Sequence, residues 1–164
     1  VSRRIDCNPL IQHISEGQFE NEIKGLPPKI KGLVIDAFGD YCRDCGSGLS
    51  NLTQIVEGVA LDAGKRVAQK GWIANNIAQR SNLNGLLEAM FTTTQCQSAK
   101  TAIAGVMSYV STYRNPSHHS PRNKKQAYKK YNDCRHGFID GIRQIKNFRE
   151  AFQKGLSIAV SIVT

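Results

Sequence analysis

The sequence predicts an all-α protein, a bundle of about five helices. Three observations carry this. Apolar residues recur at intervals of three and four over long stretches, no stretch alternates apolar and polar residues between hairpin turns, and the breaks hold helix-stopping Gly, Pro, Asn and Ser. A chain of 164 residues is long enough to bury a core without disulfide or metal staples. Its 40% hydrophobic and 21% charged residues are ordinary for a globular protein.

Residues 1–28 are polar and weakly periodic, with Leu10, Ile11, Ile14, Phe19 and Ile23 suited to one short helix. Pro27-Pro28 ends this stretch, because proline restricts its predecessor and donates no backbone hydrogen bond. It reads as an arm packed on a single helical domain over 29–164. The series Ile30, Leu33, Val34, Ala37, Phe38, Tyr41, Cys45 predicts a helix that Gly46-Ser47-Gly48 stops. Ser50 is the expected N-cap of the next helix, with Leu52, Ile55, Val56, Val59, Ala60, Ala63 and Val67 buried as far as about Gln69. Gly71 and the Asn/Ser-rich stretch 75–84 predict a break. A short helix then buries Leu83, Leu86, Leu87, Met90 and Phe91, and Thr92-Thr93-Thr94 is expected as a loop.

A further long helix is predicted from about Ser98 to Tyr113, burying Ala99, Ala102, Ile103, Val106, Met107 and Val110. Asn115-Pro116 ends it. Ser120-Pro121 has the form of an N-cap followed by proline at the first helical position. The last helix places Tyr128, Tyr131, Cys134, Phe138, Ile142, Ile145 and Phe152 on one face. Leu156–Val163 is an apolar tail that either continues it or docks as an extended segment.

Charge narrows the function. Residues 1–113 hold eleven Lys/Arg and ten Asp/Glu, a net of +1; residues 114–164 hold eleven and three, a net of +8. A cluster of positive charge attracts polyanions, of which nucleic acid is the commonest; a solvated basic helix face is the plainer account. No apolar run approaches the ~18 residues of a membrane span, and the start, Val-Ser-Arg-Arg-Ile-Asp-Cys, lacks the apolar core of a secretory signal. The absent initiator Met points to a processed chain or a larger parent protein. Five scattered cysteines read as reduced thiols in a cytoplasmic protein.

The excess charge begins in the stretch Tyr113-Arg114-Asn115-Pro116-Ser117-His118-His119-Ser120-Pro121, which holds two of the four histidines. The predicted caps put Arg114 at the end of one helix and His119 just before the next. A helix N-terminus offers free N–H groups to a phosphate. Arg brings a permanent charge whose fork matches phosphate oxygens, and His exchanges a proton near neutral pH. These are the parts for phosphoryl transfer from a ribose 2′-hydroxyl. They are also ordinary loop residues, and Arg114 could simply cap the helix before it.

Arg114-Asn115-Pro116-Ser117-His118-His119 resembles the signature of the HEPN superfamily: Arg, usually a polar residue, a few more positions, then His. The resemblance is to the abortive-infection and toxin branch, where Arg-Asn-Pro-x-x-His recurs, and covers about Leu49–Phe152. It implies a HEPN fold, an up-and-down helical bundle that dimerises so that two motif copies share a composite active site. It implies a metal-independent endoribonuclease, without cofactor, leaving a 2′,3′-cyclic phosphate and a 5′-hydroxyl in a defence or toxin–antitoxin setting, with an antitoxin as a partner. By position, Arg114 would stabilise the pentacovalent phosphate, His119 would transfer the proton, and Asn115 would orient the group or the phosphate. His118 is a second candidate for the proton. Some relatives keep the fold without activity, so a non-catalytic nucleic-acid or protein-binding module is the alternative. Arg122, Lys124, Lys125 and Lys129 follow directly and would meet the RNA backbone through salt-dependent contacts. Tyr128 and Tyr131 match the apolar stripe, which favours core or dimer contacts over base stacking.

Two other constellations compete. Asp36, Asp40 and Asp44, four apart, could hold a divalent cation, although a solvated acidic stripe fits better. Cys42-x-x-Cys45 with Cys134-Arg-His136 could make a tetrahedral zinc site; buried thiols are the default, and no metal is expected.

Overall fold

The computed structural model describes residues 14–113 and 123–163; for Lys124, Ala127, Tyr128, Lys130, Tyr131 and 153–163 the description is of the helical backbone alone. Among the described residues there are six α-helices, two short 3₁₀ turns and no strand. They are α1 (Glu16–Glu22), α2 (Pro28–Arg43), α3 (Cys45–Gln69), α4 (Leu83–Thr93), α5 (Gln97–Tyr113) and α6 (Lys124–Val163). α2–α6 are the five helices expected of the bundle, and α1 is the short helix expected in the arm. Ser15 caps it by accepting the Gln18 N–H at 3.1 Å. No helix of the described residues is long and apolar enough to cross a membrane.

The chain divides into two units. The first comprises Val1–Thr53 and Thr112–Ile142, the second Gln54–Ser111 and Arg143–Thr164.

The first unit is organised round an aromatic cluster. Phe19 of α1 stacks on Phe38 of α2, with ring centroids 3.9 Å apart and planes 8° from parallel. Phe138 of α6, fully buried, tilts against Tyr41 at 4.9 Å and against Phe38 at 5.9 Å. Tilted aromatic pairs such as the two made by Phe138 contribute roughly 0.5–1.5 kcal/mol each beyond the area they bury. The Phe19 contacts thus fasten α1 to α2 and α6.

Between α2 and α3 the structure corrects the expected boundary. Gly46-Ser47-Gly48 does not stop a helix; it forms the first turn of α3. The chain breaks instead at Asp44, which is extended (φ −151°, ψ 107°). Asp44 donates its N–H to the Asp40 carbonyl at 2.8 Å, closing α2. Its own carbonyl accepts the Gly48 N–H at 3.0 Å, and its carboxylate accepts the Ser47 hydroxyl at 3.0 Å, opening α3. The glycine serves packing: a Cβ on Gly48 would collide with the backbone of Tyr41. Ser50, expected as the N-cap, lies within α3.

In the second unit Val56, Ala60, Ala63 and Val67 of α3, Leu86, Leu87 and Met90 of α4, Ile103 and Val106 of α5, and Ile145 and Phe148 of α6 are all buried. Gly64 leaves room for Leu86, whose methyl carbons would lie 2.6–2.7 Å from an added Cβ. Gly71 ends α3 with φ +79°: its N–H bonds the Ala68 carbonyl at 2.9 Å and the Trp72 N–H bonds the Val67 carbonyl at 3.3 Å, a pairing that requires a left-handed residue there. The Asn/Ser-rich stretch becomes 3₁₀ turns at Asn75–Ile77 and Arg80–Asn82. Thr92 and Thr93 belong to α4, and Thr94 is its C-cap.

Most expected core positions of α4 and α5 are buried, with three differences. Phe91 is exposed, with the Lys100 ammonium 4.7 Å above its ring. Met107 is half-buried, and Tyr109 is buried in addition to the residues anticipated. The apolar tail continues α6 to Val163.

Candidate functional site

Arg114, Asn115, His118, His119 and Arg122 lie outside the described residues, as do Pro116, Ser120 and Pro121. The structure describes what flanks them. α5 ends at Tyr113 and α6 begins at Lys124. The cap of α6 is Asn123, whose side-chain oxygen accepts the Gln126 N–H at 2.8 Å. Lys124 is the first residue of α6, and the expected Ser120-Pro121 cap lies outside the described residues.

Tyr113, next in the chain to Arg114, is held against α6. Its ring lies over Gly137, where an added Cβ would come 2.8 Å from Cε1 and 2.9 Å from Cδ1, and 3.0 Å from a methyl of Leu49. Partial burial raises the pKa of the Tyr113 phenol, and the carboxylates of Asp140 and Asp133 add to this. A mid-helix glycine thus lets the end of α5 dock on α6.

Lys125 and Lys129 are exposed. Four residues apart on a helix, they share a face. His136 and Asp133 are exposed and Cys134 is buried. Successive helical residues turn by about 100°, so Cys134 and His136 point to nearly opposite sides of α6. That separates the two downstream members of the zinc constellation. Cys45 is buried and Cys42 exposed. Among the described residues no group of three or more His, Cys, Asp or Glu is placed to hold a metal ion.

The acidic stripe has local work. Asp40 accepts hydrogen bonds from the Arg43 guanidinium and, at 2.7 Å, from the Asn51 amide. These hydrogen bonds hold its carboxyl below the ordinary value. With Asp44 capping α3, two of the three carboxylates are engaged within the first unit.

One buried polar pair escaped the sequence reading. The Tyr41 hydroxyl and the Arg135 Nε are buried, with no hydrogen-bond partner among the described residues. Burial pushes the Tyr41 pKa well above its usual value; Cys45 and Cys134 push it further up, and Arg135 pulls it down. The periodicity correctly marked Tyr41 as inward-facing, but it carries no information on whether the hydroxyl finds a partner. Comparison of the chain with protein-family models, curated proteins and solved structures returned no match.

Proposed function

We propose that the chain is a HEPN-like, metal-independent endoribonuclease acting as a homodimer in the cytoplasm, in a defence or toxin role that an antitoxin restrains. One observation carries the reading: Arg114-Asn115-Pro116-Ser117-His118-His119 occupies the connection between α5 and α6. The net of +8 over residues 114–164 and the exposed Lys125 and Lys129 support an RNA backbone as the partner.

In this mechanism His119, or His118 in its place, takes the proton of a ribose 2′-hydroxyl. The oxygen attacks the adjacent phosphorus, the P–O5′ bond breaks, and the 5′-oxygen leaves with a proton. Arg114 neutralises charge on the pentacovalent phosphate, and Asn115 orients the phosphate. A single chain has one Arg and one motif pair of His, so a second copy completes the cleft. No electron transfer or metal is involved.

The test is Arg114→Ala and His119→Ala, each assayed for RNA cleavage beside the wild type. Each variant should fall by about 100-fold or more with the native helical spectrum. Full activity in either variant refutes the assignment. RNA retention without cleavage by the wild type would make the chain a binding module.

A further inference from the structure

Four interior glycines in these helices mark places where another residue approaches closely. Gly48 meets the Tyr41 backbone, Gly64 meets Leu86, Gly105 meets Gln144 and Gly137 meets Tyr113. Other helical glycines sit in open space: Gly17 of α1, Gly58 of α3 with only the Arg80 guanidinium at 3.7 Å, and two glycines of α2. Gly32 and Gly39 have nothing within 4 Å of an added Cβ, and both are exposed. Glycine is a poorer helix former than alanine, so their presence costs α2 stability with no offsetting contact among the described residues.

They share a stripe with exposed apolar residues. Pro28, Gly32, Ile35, Gly39 and Cys42 follow one another at intervals of four, three, four and three, the repeat that keeps side chains on one seam of a helix. All are exposed, Ile35 by 46%. Val34, Ala37 and Tyr41 bury the opposite side of α2 in the first unit.

We propose that this stripe joins two copies of the chain, α2 lying parallel against α2 of the second copy. The charges beside the seam choose both occupant and direction. Lys31 and Asp36, both exposed, flank it on opposite sides and five residues apart. In a parallel pair, Lys31 of each copy falls beside Asp36 of the other. An antiparallel pair sets Asp36 beside Asp36 and Lys29 beside Arg43, which is repulsive. The missing side chains of Gly32 and Gly39 let the backbones approach, and Ile35 fills the space between them. This interface lies outside residues 49–152, which carry the HEPN resemblance, and stands whether or not the chain cuts RNA.

The experiment uses the full chain. Light scattering after gel filtration, over a range of concentrations, should give a mass twice the 18.1 kDa of one copy. Gly32→Leu and Gly39→Leu should each weaken the dimer by about 30-fold or more, a hot-spot loss. Their melting temperatures in the monomer range should match or exceed that of wild type, because the space is open. Lys31→Glu should weaken the dimer and Lys31→Glu with Asp36→Lys should restore it. A short bismaleimide should cross-link two copies through Cys42, and Cys42→Ser should abolish that product. A full chain that stays monomeric overturns the proposal. So does a dimer indifferent to both glycine changes, or one that no cross-link through Cys42 captures.

Discussion

Replacing Gly48 by alanine tests how α2 meets α3. In an open helical position the change is favourable, since alanine gains roughly 0.5–1 kcal/mol over glycine. At Gly48 the new Cβ would collide with the Cα and N of Tyr41, and a backbone cannot rotate aside as a side-chain tip can. The helices must separate, and Tyr41 carries contacts with Phe38 and Phe138 that separation would loosen. Overpacking a core costs about 1–3 kcal/mol, and a backbone clash belongs at the upper end. After the propensity gain, Gly48→Ala should destabilise by about 2 kcal/mol. Gly58→Ala provides the contrast: it lies in the same helix, and its Cβ would find only the Arg80 guanidinium at an ordinary 3.7 Å. That variant should gain about 0.5–1 kcal/mol. Urea titration followed by helical circular dichroism reads both, with a lower midpoint for Gly48→Ala and a higher one for Gly58→Ala. A Gly48→Ala midpoint at or above wild type would refute the close approach of the two helices.

Tyr41→Phe should stabilise the protein by about 1 kcal/mol or more, because it removes a buried hydroxyl that has no partner among the described residues; a less stable variant would show that the hydroxyl is satisfied. Its effect also depends on pH. The folded pKa of Tyr41 is raised, so the native state keeps a proton that the unfolded chain loses above pH ~10. Wild-type stability should therefore fall beyond that pH by an increment of up to about 1.4 kcal/mol per unit that Tyr41→Phe lacks, measured by denaturant titration from pH 9 to 11. Lys125→Ala and Lys129→Ala should each weaken RNA binding across sequences. Each should also make the slope of log K against log salt shallower by about 0.7, read by fluorescence anisotropy; unchanged slopes would place the RNA elsewhere.

Periodicity made the helices legible in advance because long amphipathic stretches leave few alternatives. Val34, Ala37 and Tyr41, or Ala99, Ala102, Ile103 and Val106, have no other way to be buried together. The errors fall where local chemistry has two meanings. Gly46-Ser47-Gly48 reads as a stop by propensity, yet tertiary contact with Tyr41 makes Gly48 useful inside a helix, while a single aspartate ends one helix and opens the next. Phe91 matched the apolar stripe of α4 but sits at its edge under Lys100, a placement that depends on a neighbouring helix. Asn123 caps α6, one of several cap-forming residue types close together in this stretch. For the candidate site the sequence named the motif. The docking of Tyr113 on Gly137, beside that motif, joins residues 24 apart in number and has no local signature beyond a glycine inside a helix.

The most direct test of the nuclease reading is incubation of the purified chain with mixed RNA in the presence of EDTA, followed by analysis of the product ends. The reading predicts cleavage that persists with the chelator and leaves 2′,3′-cyclic phosphate and 5′-hydroxyl ends. Intact RNA at every pH tried, or cleavage that EDTA abolishes, would contradict it.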